Sequence, residues 1–220
     1  MSIASPRFRD LSSLSRLLRL TAGIWGAVST GGFLIVVALY FAASYSETDS
    51  DAATSASRAE VVAVWLALWW LSLLTFSVVF LIWKYRALYN AHALGGSSLP
   101  SPAAAIYWYF VPIASLWMPY VVMRHIFQAS HPPASPGGEN PSLSLVTTWW
   151  VLWLLYFLVS SPRIWGILEE WSFLLSFVFF PIPLAVVTAR MSSTLEEWQR
   201  AKYQLTLMSR GAAAQELPTA

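Results

Sequence analysis

Cysteine is absent from the 220 residues. Its absence excludes disulfides, thiolate metal sites, iron–sulfur clusters, covalent c-type haem, a cysteine nucleophile and a cysteine-linked lipid anchor. Charge is scarce as well: Asp, Glu, Lys and Arg make up 11% of the chain, against roughly 25% in average soluble domains. The long apolar runs carry no charged residue except at their ends, so a proton relay, a carboxylate ion site or a voltage sensor has nothing to run on. No HExxH, GxSxG, P-loop or GxGxxG pattern occurs. Glu169 and Glu170 are adjacent and point about 100° apart on a helix. An acid/base pair needs convergent carboxyls, so a solvated helix start is the better reading. The sequence therefore indicates no enzyme and no cofactor. It also shows no internal repeat, which leaves an inverted-repeat transporter without support.

What is abundant is apolar and aromatic. Apolar residues reach 57%, and 13 Trp, 9 Tyr and 12 Phe make up 15% of the chain, a bias suited to two membrane–water interfaces. The net charge of +2 and pI near 9.0 do not point to nucleic acid. The basic residues sit at the ends of apolar segments, where they act as topology signals. The length fits one compact membrane unit without a separate soluble domain.

Residues 1–20 read as a basic amphipathic helix on an anionic inner leaflet, with Phe8, Leu11, Leu14, Leu17 and Leu18 opposite Arg9, Ser12, Ser13, Arg16 and Arg19. A signal peptide is the competing reading. The uncharged run Thr21–Ser44 exceeds the ~7–15-residue apolar region of such peptides, which favours a retained first span. Gly23, Gly26, Gly31 and Gly32 allow close helix approach in it. An acidic loop with Glu47, Asp49, Asp51, Arg58 and Glu60 follows, then a second span, Val61–Trp83, ending in Lys84 and Arg86.

Three further apolar blocks are Ala103–Met123, Leu143–Ser161 and Trp171–Thr188, with an irregular linker at His131–Gly138. If all five blocks span, Lys and Arg divide almost evenly between the two sides. If Ala103–Met123 re-enters or lies on the interface, only Arg58 and Arg163 remain outside. The positive-inside rule prefers the second arrangement, and Pro112 and Pro119 supply the helix breaks. The competing reading is a Pro-kinked span. The expected fold is thus all-α: a polytopic bundle of four spans plus a Pro-broken re-entrant or interfacial segment, with five spans as the alternative. Its transmembrane domain covers 21–190. Pro181 and Pro183 kink the last span. Residues 191–220 then form a second surface helix, capped at Thr194 and Glu197 with Leu195, Trp198, Leu205 and Met208 as its stripe, and a tail without order from Gly211.

One polar cluster stands out. With the central block folded back, Arg86, Asn90 and His92 face Tyr120, Arg124 and His125, an arrangement able to hold an anionic head group or phosphate. The simpler reading is that these residues anchor the segment to lipid phosphates and cap broken helices. A metal or haem site from His92, His125 and His131 is a remote alternative, because their spacings match no ligand motif. The pairs Trp69-Trp70 and Trp149-Trp150 suit a quinone, a sterol-like lipid or a pigment, or act as packing and interface anchors.

The central wording Arg86-Ala87, Asn90, Ala93-Leu94-Gly95, Ser101-Pro102, Trp108-Tyr109-Phe110-Val111-Pro112, Pro119-Tyr120, Met123 and Ala129-Ser130 resembles a family of small bacterial integral membrane proteins classed as a domain of unknown function. The resemblance runs over roughly residues 20–190, and Trp108, Pro112 and Pro119 are its structural markers. It implies a bacterial membrane protein and brings no activity; the positive-inside rule puts the N-terminus on the cytoplasmic side of the cell membrane. At His125 the family position is often acidic or otherwise polar, so no role for this imidazole is implied. The expected function is a non-enzymatic scaffold, regulator or accessory subunit. The alternatives are a small oligomeric channel or transporter, and a binder of anionic lipid or an apolar ligand. Expected partners are the bilayer, anionic lipids of the inner leaflet, and a membrane-protein partner or a second copy of the chain, with no nucleic acid.

Overall fold

The computed structural model describes residues 8–44, 52–96, 99–132, 141–160 and 176–215. Three long helices dominate: α1 (Ser12–Ser44), α2 (Ala52–Ala93) and α6 (Pro181–Gln215). Between them lie the short α3 (Ala104–Tyr107), a 3-10 turn (Ala114–Leu116), α4 (Met118–Ser130) and α5 (Pro141–Val159). The described residues contain no strand. Segments Ser12–Leu39, Ser55–Ala93 and Ser176–Arg210 are each long and apolar enough to cross a membrane, and Ser144–Val159 is a shorter apolar helix. The all-α bundle is as expected, and three long helices plus one shorter one are compatible with four spans.

α1 runs antiparallel to both α2 and α6. Trp83 Nε1 donates to Ser15 Oγ at 3.1 Å, and Trp65 Nε1 to Val28 O at 3.0 Å, which fixes α1 against α2. Arg19 donates to Ser193 Oγ at 3.1 Å and Thr30 to Phe177 O at 3.2 Å, which fixes α1 against the last helical segment. Of the glycines in α1, Gly32 is the one the packing requires. A Cβ there would stand 1.8 Å from Trp65 Nε1, whereas Gly23 and Gly31 have open space around them.

Several boundaries differ from the sequence reading. Residues 12–20 are not a separate surface helix, because α1 runs unbroken through Thr21. Leu11 and Leu18 are buried in the core while Leu17 is exposed, so part of the apolar stripe meets protein. Arg58 and Glu60, expected in a loop, lie within the start of α2. Ser192 and Ser193 do not open a second helix: their hydroxyls donate back to Ala189 O at 2.8 and 3.1 Å, which satisfies them within a continuous helix. Gly211, expected to begin a tail without order, is still helical. The chain does bend at the expected prolines, at Phe180, with Pro181 as the first residue of α6. A proline fits there because a first-turn N–H has no helical acceptor. Glu169, Glu170, Arg163 and most of the 131–138 linker lie outside the described residues.

The core sits toward one end. Trp25 stacks on Phe76 with centroids 5.3 Å apart, Phe80 stacks on Trp149 at 5.5 Å, and Phe127 meets Trp198 edge-on at 6.0 Å. At the other end Leu34, Ile35, Val61, Val64 and Leu68 are exposed, as befits apolar side chains whose solvent is lipid. At ~1.5 Å per residue, α2 with its 42 residues is about 63 Å long. That is roughly twice a ~30 Å hydrocarbon core, so part of the bundle stands beyond the apolar slab.

Candidate functional site

The block 103–123 forms no continuous helix. Ala103 to Tyr107 turn helically, and a tight reversal follows at Pro112-Ile113-Ala114, where Ala114 N donates to Pro112 O at 2.7 Å. Ile113 has φ 64° and ψ −57°, the strained hand of the three-residue γ-turn. It is the only non-glycine residue with positive φ among those described. Pro119 then sits in the first turn of α4, where its missing N–H costs no helical bond.

Lys84 holds this broken segment together. Its Nζ donates at 3.0 Å to Tyr109 Oη and at 3.0 Å to Pro119 O, one on each limb of the reversal, and lies 4.6 Å from the Tyr109 ring centroid. The side chain is 0% exposed. Among the described residues no carboxylate forms an ion pair with it. Lys84, Ala87, Leu88 and Ala91 are all buried at i, i+3, i+4 and i+7, the inward stripe of α2. The sequence reading treated Lys84 as a topology marker. Its place on that stripe was the available signal for a buried role.

Arg86 lies about 200° around the helix from Lys84, on the other side. It shares a cleft of about 270 Å³ with Arg9, Leu14, Ile82, Tyr85 and Tyr89. The Arg9 guanidinium lies 4.9 Å from the Tyr89 ring centroid. No carboxylate among the described residues pairs with Arg9 or Arg86.

Asn90 is buried in a polar knot, with no face free for a ligand. Its Nδ2 donates to Arg9 O (2.7 Å) and Gln199 Oε1 (3.1 Å), while Oδ1 accepts from Arg9 N (3.0 Å). Gln199 Nε2 in turn donates to Ala87 O (2.9 Å) and Ser130 Oγ (3.0 Å). Gln199, placed off the apolar stripe by the sequence reading, is fully buried. Every amide hydrogen in the knot is used, as burial demands.

The other expected site residues disperse. His92 Nε2 lies 2.9 Å from Pro100 O, and Tyr120 Oη 3.2 Å from Thr147 Oγ1. Arg124 is exposed on α4. His125 is half-buried, and its Nδ1 has no hydrogen-bond partner among the described residues. His131 meets the Trp198 ring edge-on at 4.7 Å. No group of three His, Cys, Asp or Glu among the described residues is placed to hold a metal. Trp108 is half-buried and packs against the core, 4.5 Å from the Tyr107 ring. The segment's outer edge, Phe110, Val111 and Ile113, is exposed.

Glycine closes α2 on the side of the central segment. Gly95 takes φ 91°, and Gly96 N donates to Ala91 O while Gly95 N donates to His92 O. This is the paired-bond helix ending that a left-handed residue permits.

No curated protein and no solved structure matches this sequence significantly. A family description does match, over residues 45–172. That range holds α2 to α5 and the whole central segment, and it is narrower at both ends than the resemblance read from the sequence. α1 and α6 flank it and pack against each other. By this match the chain belongs to the family of the domain of unknown function DUF4328.

Proposed function

We propose that the protein is a non-enzymatic regulator or accessory subunit of the bacterial cytoplasmic membrane, with both termini cytoplasmic, that recognises the phosphate of anionic lipids. The observation that carries this reading is the Arg9–Arg86 cleft, where two guanidiniums and the phenols of Tyr85 and Tyr89 stand beside the apolar Leu14 and Ile82. Guanidinium forks match phosphate oxygens, and phenols add neutral hydrogen bonds. Apolar side chains at the same cleft fit the start of an acyl chain.

The distribution of charge supports the orientation. Arg9, Arg16, Arg19, Lys84, Arg86, Arg124, Arg190, Arg200, Lys202 and Arg210 are on segments at one end of the bundle. Arg58, the remaining Lys or Arg among the described residues, is near the other. The positive-inside rule makes the basic end cytoplasmic. Lys84 engages Pro119 at the start of α4 and Gln199 engages Ser130 at its end, both in this basic half. We therefore read the central segment as entering and leaving on the cytoplasmic side.

Two experiments test the reading. Phosphatidylglycerol carried through purification is measured by mass spectrometry for the wild type, the Arg9→Gln/Arg86→Gln variant and an Arg124→Gln control. Loss in the double variant alone is expected, and equal lipid in all three overturns the assignment. For orientation, single cysteines at Ser50, Ser135 and Ser209 are labelled in intact cells with an impermeant maleimide. Only Ser50→Cys should react before lysis; labelling at Ser209 sinks the proposed topology.

A further inference from the structure

Where α2, α5 and α6 meet the central segment, they leave a half-open cleft of about 200 Å³. Its walls are Phe76, Phe80, Tyr109, Trp149, Trp153 and Leu184. Phe80 and Trp149 stack nearly parallel, 26° apart, while Tyr109 presents its ring at 88° to Phe80 and 71° to Trp153. A cavity of about 150 Å³ is large enough for benzene, so this one has room for a single substituted six-membered ring and not for a whole lipid.

The polar content of the cleft is narrow. The Ser77 hydroxyl also lines it, but that hydroxyl is committed to Leu73 O at 2.8 Å. The indoles of Trp149 and Trp153 line it too, and the polar group whose position a printed contact fixes is the Tyr109 phenol. Its oxygen accepts from Lys84 Nζ at 3.0 Å, which turns the phenol's own hydrogen away from Lys84. No acceptor for that hydrogen is found among the described residues. A phenol donor in an aromatic slot fits a flat ring bearing a carbonyl acceptor.

We propose that this cleft binds the ring of a membrane-soluble quinone, with the Tyr109 hydroxyl donating to a ring carbonyl and Lys84 positioning Tyr109. The ring lies between the aromatic walls, and its hydrocarbon tail leaves through the open side into the bilayer. This site is independent of the Arg9–Arg86 cleft and stands or falls separately.

The test uses the full chain in phosphatidylcholine nanodiscs, titrated with a decyl-substituted benzoquinone while tryptophan fluorescence is followed. Decylbenzene, which has the ring and tail but no carbonyl, serves as competitor. Saturable quenching is expected in the wild type, weakened about tenfold by Tyr109→Phe, which removes the donor to the ring carbonyl and keeps the aromatic wall. Lys84→Met should weaken binding in the same direction. Leu184→Phe, which narrows the cleft and leaves the Tyr109 and Lys84 side chains unaltered, should abolish the saturable component, and decylbenzene should fail to compete. Circular dichroism melting identifies any variant that does not fold. If Tyr109→Phe is lost in this way, Leu184→Phe and the competitor decide. Quenching that never saturates, equal affinity in Tyr109→Phe, unchanged binding in Leu184→Phe, or full competition by decylbenzene each overturns the proposal.

Discussion

Asn90 and Gln199 hydrogen-bond side chain to side chain at 3.1 Å across 109 residues of sequence, with neither exposed. The contact ties α2 to α6. Through the two bonds between Asn90 and the Arg9 backbone it also straps the N-terminal segment across both helices. Phe8 stacked on Tyr203 at 4.3 Å secures the same strap.

The knot predicts a cost larger than that of one hydrogen bond. Asn90→Ala leaves the Arg9 N–H, the Arg9 carbonyl and Gln199 Oε1 without their partner. An orphaned buried group costs about 1–3 kcal/mol, so the melting temperature in detergent should fall clearly. Gln199→Leu should destabilise similarly. The double variant should lose less than the sum, because the two residues act as one network. Additive losses would mean that they do not.

At Gly32 the outcome is steric. A methyl group there must displace the Trp65 indole and break its bond to Val28 O. Overpacking of this kind costs about 1–3 kcal/mol. Gly32→Ala should therefore melt earlier, and pairing it with Trp65→Leu should recover part of the loss. Gly23→Ala and Gly31→Ala, with nothing within 4 Å, are matched controls that should not melt earlier and should gain slightly from alanine's better helix propensity.

Ile113 offers a gain in stability. A β-branched residue at φ 64° is a true conformational outlier, and such strain costs on the order of 1–3 kcal/mol. Its side chain is 71% exposed, so little packing is lost with it. Ile113→Gly should raise thermal stability by about 1 kcal/mol, part of the relief being offset by glycine's larger entropy in the unfolded chain. Ile113→Val keeps the strain and should not raise it.

Asp10 sets a pH dependence for the strap. Its carboxylate accepts from Ser12 Oγ at 2.6 Å and Ser12 N at 3.1 Å, and lies 3.5 Å from Arg200. The Ser12 side-chain bond first, then its backbone bond, hold the carboxyl below the ordinary 3.8. A carboxyl lowered on folding contributes stability above its unfolded value and loses it as pH falls through the folded one. Amide exchange in residues 12–15 should therefore quicken only below about pH 4, and Asp10→Asn should flatten that response.

The apolar runs were legible because 18 or more uncharged residues have few other uses. The break at Pro112 and Pro119 was legible because proline removes a donor and blocks the preceding turn. The residues expected to form one cluster are dispersed for a definite reason. Charge at the end of an apolar run predicts orientation in the membrane but not which way round the helix it faces, so Arg86 and Lys84 looked equivalent. Their 200° separation decided the matter. Asn90 stood out correctly, but as a knot in the packing, since its partner Gln199 lies on a segment whose stripe appeared to exclude it. The helix boundaries at Thr21 and Ser192 failed because a change from charged to apolar composition marks a change of solvent, and the backbone need not break where the solvent changes.

That continuity has a mechanical consequence. α1, α2 and α6 cross from the lipid-facing half into the polar end without a hinge, so each is one rigid lever. When bilayer thickness changes, spans respond by tilting, and a tilt of about 10° swings the tip of a ~20 Å extension by about 3.5 Å. The strap of Phe8 to Leu11 is laid across two of these lever tips, tied to Asn90 and Tyr203. A tilt of either helix would thereby be felt at the strap as a relative displacement of the Asn90 and Tyr203 anchor points.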